Sequence, residues 1–241
     1  SLFDVFDSTT QAEHGPQYCE VPRWTERQKL TEEKIALGFF FSGHPFFEAK
    51  AEVSRFVRRP LASLEPRKEP QLLAGLVVGV RTKITSRGKM AFVQLDDGTS
   101  LLEVSVFNEI FEAEREKIKE DEVLIVEGKV QKDDFAGEGK VRVIAERLLT
   151  LADARGRFAR HLRLSLNGKA SGDNARAAAQ RLHSLLAQYM PGNCPVRLSY
   201  RNDVAACELN LGDASRVRLE DDLLLSLSDW LSSENVLIEY N

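Results

Sequence analysis

The sequence predicts an all-β barrel followed by an α+β carboxy-terminal domain, with a short helical amino-terminal segment in front. Three observations carry this reading. Residues 73–151 contain three β-rich runs, one charged helical run (EIFEAEREKIKE) and two further β-rich runs. Turn chemistry separates the early runs: Arg87, Gly88 and Lys89 between the first and second, Asp97 and Gly98 between the second and third, combinations that favour tight reversals. Beyond residue 153 the apolar spacing alternates between strand and helix periods in the order β-α-β-β-β-α-β, which makes a small α+β sheet. Five strands with a helix between the third and fourth is the order of an OB barrel.

Taken in order, residues 1–23 form a tail in which Ser, Thr, Gln, Gly and Pro surround an apolar cluster of Leu2, Phe3, Val5 and Phe6. With no initiator methionine, the chain is expected to be a fragment. Residues 24–70 read as a helical segment and linker. Thr25 and Gln28 have capping-box spacing, with Trp24 at the hydrophobic-staple position, and Gly38 stops the helix. Pro45 suits a first helical turn, and Phe46, Ala49, Val53 and Phe56 recur at helical spacing. His44 has no Ser, Cys or carboxylate neighbour in sequence, so it reads as a hydrogen-bonded connector residue rather than a general base. The proline- and charge-rich residues 61–70 read as a linker into the barrel.

Residues 71–152 form the barrel. Residues 76–85 and 123–130 are rich in Val and Ile, which fit a pleated, half-buried surface. In the third run Leu102, Val104 and Val106 alternate with Glu103, Ser105 and Phe107. Over residues 108–120, Ile110, Phe111, Ala113 (or Glu114) and Ile118 form a one-sided stripe, so this piece is a helix plugging a barrel end.

OB barrels bind single strands on strands two and three, between the loops joining strands one to two and four to five. The chemistry requires cations along phosphates and flat side chains under bases. Residues 74–95 carry Arg81, Lys83, Arg87 and Lys89 and no acid, and Gly88 would admit a close approach to backbone. The second loop contributes Lys132, Phe135 and Lys140, with Arg142 just beyond. Phe92 and Phe107 are candidate stacking platforms, core packing being the alternative for Phe92. Residues 71–151 hold 12 basic against 15 acidic residues, and Asp133, Asp134 and Glu138 repel phosphate, so strand binding is expected to be weak.

Composition excludes several classes. There is no apolar run of membrane-spanning length and no CxxC or HExxH pattern. Three cysteines are too few and too scattered for a disulfide framework and fit reduced cytoplasmic thiols. The net charge of −4 leaves any nucleic-acid role to local charge distribution.

Residues 153–241 form the second domain. Residues 155–181 hold seven basic residues against Asp173, either a second phosphate-contacting strip or the solvated face of a helical connector, the reading the pattern favours. Leu162, Leu164 and Leu166 mark a strand, and Ala178, Leu182, Leu185 and Leu186 a helix ended by Pro191 and Gly192. Val196, Leu198 and Tyr200 and then residues 206–211 alternate as strands, and residues 215–219 read as another short one. Asp221 or Asp222 caps a helix carrying Leu224, Leu227, Trp230 and Leu231, and residues 236–240 close as a strand. From residue 202 onward nine acids meet only Arg216 and Arg218. This predicts docking of a protein rather than phosphate. Trp230, Leu231, Leu237, Ile238 and Tyr240 are the candidate partner patch, with core packing as the other role open to each.

The segments LGFFFSGHPFFEAKAEVSRFV, LLAGLVVGVRTKITSRGKMAFVQLDDGTSLLEVSVF, LIVEGKVQKDDFAGEGKVRVIAERLLTLADAR and ARHLRLSLNG resemble, in order, the carboxy-terminal part of the bacterial replicative DNA polymerase III alpha subunit. The resemblance implies a barrel beyond the thumb and fingers that touches the single-stranded template through Thr85, Ser86, Arg87, Gly88 and Lys89. It implies that the last domain docks the clamp-loader tau subunit. It also implies that Leu2 and Phe3 anchor a sliding-clamp peptide whose glutamine this sequence lacks. No run resembles the family's polymerase carboxylates or phosphoesterase-like histidines. The chain is therefore expected to have no catalytic residue, metal or cofactor, no membrane contact, and a cytoplasmic location. Alternatives are the OB scaffold of an error-prone paralogue or a purely protein-binding OB module; a tRNA synthetase would require ATP-binding motifs that are absent from the sequence.

Overall fold

The computed structural model describes residues 24–86, 88–133, 141–167, 175–201 and 205–240. The described residues fall into two units, the first ending at Gly43 and the second beginning at His44. In the first, helix α1 (Glu26–Leu37) starts where Thr25 Oγ1 accepts the Gln28 N–H at 3.2 Å and stops at Gly38 with φ +83°. The Glu33 carboxylate accepts the N–H groups of Phe41 and Ser42 at 2.9 and 2.8 Å, which turns the chain after the helix.

The second unit opens with helix α2 (Phe46–Val53). His44 acts as a connector, accepting the Phe46 N–H on Nδ1 at 3.2 Å. Residues 61–70 lead into the barrel, exposed apart from two leucines. Leu61 and Leu64 are buried in the barrel core, and the Leu61 N–H donates to the buried Asp97 carboxylate at 2.8 Å. The two leucines anchor an otherwise proline- and charge-rich linker to the barrel.

The barrel comprises β1 (Gln71–Thr85), β2 (Gly88–Asp96), β3 (Leu101–Val106), β4 (Val123–Lys132) and β5 (Val141–Thr150), closed in the order β1-β2-β3-β5-β4. All neighbours are antiparallel except β3 and β5, which pair in parallel at Val104–Val143 and Ser105–Ile144. Strand alternation sends Val93, Leu95, Val104, Val126, Val143 and Leu148 into the core. At Gly128 the β4–β5 register shifts. A Cβ there would lie 2.6 Å from the Ile144 carbonyl oxygen, so only glycine lets the strands close at that bulge. Helix α3 (Asn108–Glu114) caps the barrel with Phe111 buried. It is shorter than the apolar stripe implied, giving way to a 3₁₀ turn at Arg115–Lys117.

Strand β5 ends at Thr150, helix α4 (Leu151–Phe158) begins at the next residue, and β6 (Ala159–Asn167) follows it directly. Thr150 and Asp153 form a reciprocal capping box at the start of α4. The second domain adds α5 (Ala175–Ala187), β7 (Val196–Arg201), β8 (Ala206–Asn210), α6 (Asp221–Leu231) and β9 (Val236–Tyr240), with sheet order β8-β7-β6-β9. Leu162, Leu164 and Val196 on the sheet pack with Leu182 and Leu186 of α5 and Leu223 and Leu227 of α6. The strand expected over residues 215–219 does not form. Only Val217 bridges Cys194, and Val217 and Leu219 are buried as an extended segment. Alternating burial imitates a strand there without a ladder.

Arg155 joins the parts. It is 5% exposed, so the solvated connector face expected of residues 155–181 does not include it. Its Nε and Nη2 donate to Glu52 of α2 at 2.7 and 2.9 Å, and its Nη1 to Asp221 of α6 at 2.5 Å and to the Leu219 carbonyl at 3.3 Å. The Tyr240 hydroxyl of β9 donates to the same Glu52 carboxylate, and the Phe56 ring stacks on Phe158 at 5.2 Å and meets Tyr240 at 5.4 Å, tilted by 44°. Burial works against the guanidinium charge, but Glu52 and Asp221 outweigh it and hold the proton more firmly than in water.

Candidate nucleic-acid interface

Three strands build the outer face of the barrel. Because Ala91, Val93 and Leu95 point inward, Met90, Phe92 and Gln94 of β2 point out. Cross-strand register then sets Arg81 opposite Phe92, Lys83 opposite Met90, and Phe92 opposite Ser105. Phe92 is thus half-buried on the outer face, with the Arg81 guanidinium 5.6 Å from its ring centroid; it is not a core residue. Arg81 also donates to Glu103 at 2.5 Å, so its charge is largely answered on the same face. Lys83 is exposed. Lys89 is exposed too, with its ammonium 5.5 Å from the Phe111 ring. Phe107, 49% exposed, follows the last residue of β3 and is more accessible than Phe92.

An open groove of about 740 Å³ lies between the β1–β2 turn, the start of α3 and β5, with Ser86, Met90, Phe107, Asn108 and Ile110 among its walls. Gly88 departs from its expected role. With φ at +108° it does need to be glycine, but the space a Cβ would take is filled by the Asn108 amide at 2.4 Å. Asn108 Oδ1 accepts the Lys89 N–H at 3.0 Å. Gly88 therefore seats the turn against α3 instead of opening backbone to a strand.

On the other hairpin Lys132 is exposed, and Arg142 is exposed and donates to Gln131 at 3.2 Å. The parallel Val104–Val143 and Ser105–Ile144 pairs join β5 of this hairpin to β3. Arg87, Phe135, Lys140, Leu2 and Phe3 lie outside the described residues. Sequence reasoning missed Asn108, whose cue was its place one residue after an exposed aromatic. It also missed Ile84, 83% exposed beside the turn, which breaks the alternation of an otherwise basic stretch.

The partner patch expected near the carboxy terminus does not assemble. Leu231 is buried in the core, Trp230 and Ile238 pack against it, and Tyr240 belongs to the Arg155 cluster. Only Leu237 is exposed. Helical and strand periods placed these residues on inward faces that nearness in sequence could not distinguish from a patch.

The closed five-stranded order with a parallel β3–β5 pair defines an OB-fold domain. Residues 72–151 match the family model for the OB-fold nucleic acid binding domain, and residues 181–231 match that for the DNA polymerase III subunit alpha, C-terminal domain. The chain is 34% identical over 241 residues to the DNA polymerase III subunit alpha of Pseudomonas aeruginosa, covering 99% of this chain and 20% of the relative. It is 34% identical over 238 residues to that of Neisseria meningitidis serogroup A, covering 98% and 20%. A solved domain of replication protein A from Methanococcus maripaludis aligns with 39% of this chain and 93% of its own at 18% identity, with a TM-score of 0.32. Relatives named DNA polymerase III subunit alpha are thus similar to this chain over nearly all of its length. The chain spans about one fifth of the length of the curated relatives it matches and corresponds to their carboxy-terminal region.

Proposed function

We propose that this chain is the non-catalytic, template-contacting part of a replicative DNA polymerase. The outer face of β1, β2 and β3 binds single-stranded DNA, and the second domain docks the clamp-loader tau subunit. The observation that supports strand binding most is the placing of Lys83, Phe92 and Phe107 on one outer face by strand register, with Phe107 also lining the adjoining groove and Lys89 exposed beside the turn. Lysines there track phosphates, and Phe107 stacks a base. Arg81 adds little charge because the Glu103 carboxylate holds it, whereas Arg142 is held only by the neutral Gln131 side chain and keeps its charge for phosphate. Arg87, Lys132, Phe135 and Lys140 extend the site into the two framing loops, Gly88 shapes it, and Leu2 and Phe3 are the remnant of a clamp-binding peptide.

For docking, the exposed face of α6 is the support. Asp222, Leu225 and Asp229 are all exposed and share one helical face, presenting an apolar side chain between two carboxylates to a basic partner. No step here requires a cofactor.

The test of strand binding is fluorescence anisotropy with oligo(dT) over a salt series. Phe107→Ala should weaken binding by about 1–3 kcal/mol. Lys83→Ala and Lys89→Ala should each lower the slope of log K against log salt by about 0.7, as expected for one lost single-strand phosphate contact. Unchanged affinity and slope in all three variants would remove this site.

A further inference from the structure

The second domain carries a basic surface that strand pairing assembles from residues distant in sequence. Helices α5 and α6 cover one face of the sheet. Alternation turns His161, Arg163 and Ser165 of β6 to the other face, and the parallel β6–β7 register sets Arg163 beside Arg197 and Ser165 beside Ser199. Arg201, exposed, lies further along β7 on the same face. Arg160 sits in the β6 bulge next to His161. The acids reaching this face from the neighbouring strands are Glu239, opposite His161, and Glu208, opposite Ser199.

Two arginines side by side on strands about 4.8 Å apart repel unless an anion separates them. Glu239 answers only part of this. It lies 3.1 Å from Arg163 Nη1, while Arg163 Nε has no hydrogen-bond partner among the described residues. Arg197 donates its Nε to the neutral Asn210 side chain at 3.2 Å. His161 registers the surplus. Burial lowers its pKa first, then the charge of Arg197, with Arg160 and Arg163 adding to it against Glu239. Glu239 Oε2 is 3.0 Å from His161 Nε2, yet Nε2 lacks the alignment of a hydrogen bond. Meanwhile several acids that made residues 202–241 look anionic are spent elsewhere: Asp213 on Arg216, Glu220 on Arg218 and Asp221 on Arg155.

We infer that this open sheet face is a second nucleic-acid contact, in which Arg163, Arg197 and Arg201, with the Ser165 and Ser199 hydroxyls between them, hold the phosphodiester groups of a DNA strand. Arginines and hydroxyls are the groups that grip phosphates without reading sequence. With no exposed aromatic ring among the described residues on these strands' open side, the contact is to backbone rather than to stacked bases.

The experiment uses the whole chain and compares wild type with the triple variant Arg163→Gln, Arg197→Gln, Arg201→Gln. Each is measured by anisotropy on oligo(dT) and on a duplex across a salt series, alone and combined with Lys83→Ala and Lys89→Ala. The triple variant should lower the salt slope on oligo(dT) by about 2, from about 0.7 per lost contact, and weaken binding at least about tenfold, in both backgrounds. The duplex arm shows whether paired phosphates serve equally. Persistence of that loss in the barrel-variant background separates this face from the barrel site, whose failure would leave the loss intact. An unchanged slope in both backgrounds would overturn the inference. So would polyglutamate competing as well as oligo(dT) at equal charge, which would reassign the face to an acidic protein. If the triple variant does not fold, the exposed Arg201→Gln alone should lower the slope by about 0.7, and no change would overturn the inference.

Discussion

Replacing Arg155 by methionine, which keeps the length and removes the charge, tests whether its ion cluster holds the second unit together. The side chain of Arg155 is 6% exposed and that of Glu52 21%, whereas Asp221 is 60% exposed. Losing the Asp221 contact alone is worth under about 1 kcal/mol, as for other exposed pairs. The Glu52 carboxylate is different. Without Arg155 it keeps only the Tyr240 hydroxyl among the contacts described above, and breaking a buried pair costs about 3–5 kcal/mol because a charge is left uncompensated. Glu52 retains some solvent, so the lower end, about 3 kcal/mol, is expected. Against a typical total of about 5–15 kcal/mol this is a large fraction. For a unit of this size it corresponds to a fall in Tm of about 6–12 °C. Urea unfolding followed by far-UV circular dichroism, with calorimetry for Tm, reads the change directly. Glu52→Gln combined with Arg155→Met should recover part of the loss, since no lone carboxylate then remains. A loss below about 1 kcal/mol for Arg155→Met, or no recovery in the double variant, would refute the reasoning.

Asp97 offers a second stability test with a pH signature. Burial pushes its carboxyl up, but hydrogen bonds from the Thr99 hydroxyl and from the N–H groups of Leu61, Thr99 and Ser100 outweigh that and hold it below the ordinary carboxylate range. A folded pKa below the unfolded one means stability present above about pH 4 and lost as pH falls through the folded value. Asp97→Asn should therefore cost about 1–3 kcal/mol at neutral pH, because an amide cannot accept all four donors, and should flatten the acid limb of the stability–pH curve. An unaltered limb would show that other carboxylates govern it. For the docking proposal, Asp222→Lys with Asp229→Lys should weaken tau binding at least about tenfold in calorimetric titration while leaving oligo(dT) affinity no lower, and equal tau affinity would move the docking site off α6.

Much of the barrel was legible in the sequence because its signals are local. Val104 and Glu103 differ by one position and point opposite ways, and the Asp97-Gly98 turn is written in two adjacent residues. The placement of Phe92 was not legible, since an aromatic in a β-rich run fits either side until register is known. Gly88 was misread for a related reason: glycine signals a need for space or for positive φ, but not which neighbour fills the space. Arg155 was the largest omission. Its partners Glu52, Asp221 and Tyr240 lie 103, 66 and 85 positions away, and nothing in a one-dimensional charge count separates a buried arginine from the solvated Arg160 five residues later. The same blindness hid the face of Arg163 and Arg197, whose charges are gathered by a parallel pairing across an intervening helix.

The direct succession of β5, α4 and β6 has a mechanical corollary. A flexible spacer would let the two domains tumble independently, but an eight-residue helix spliced between two strands behaves like a keyed shaft. Adding or deleting a single residue within it would turn everything downstream by about 100° and slide it by about 1.5 Å, carrying Asp221 and Tyr240 away from Glu52. The length of that shaft therefore dictates the angle at which the sheet of the second domain is set against the barrel.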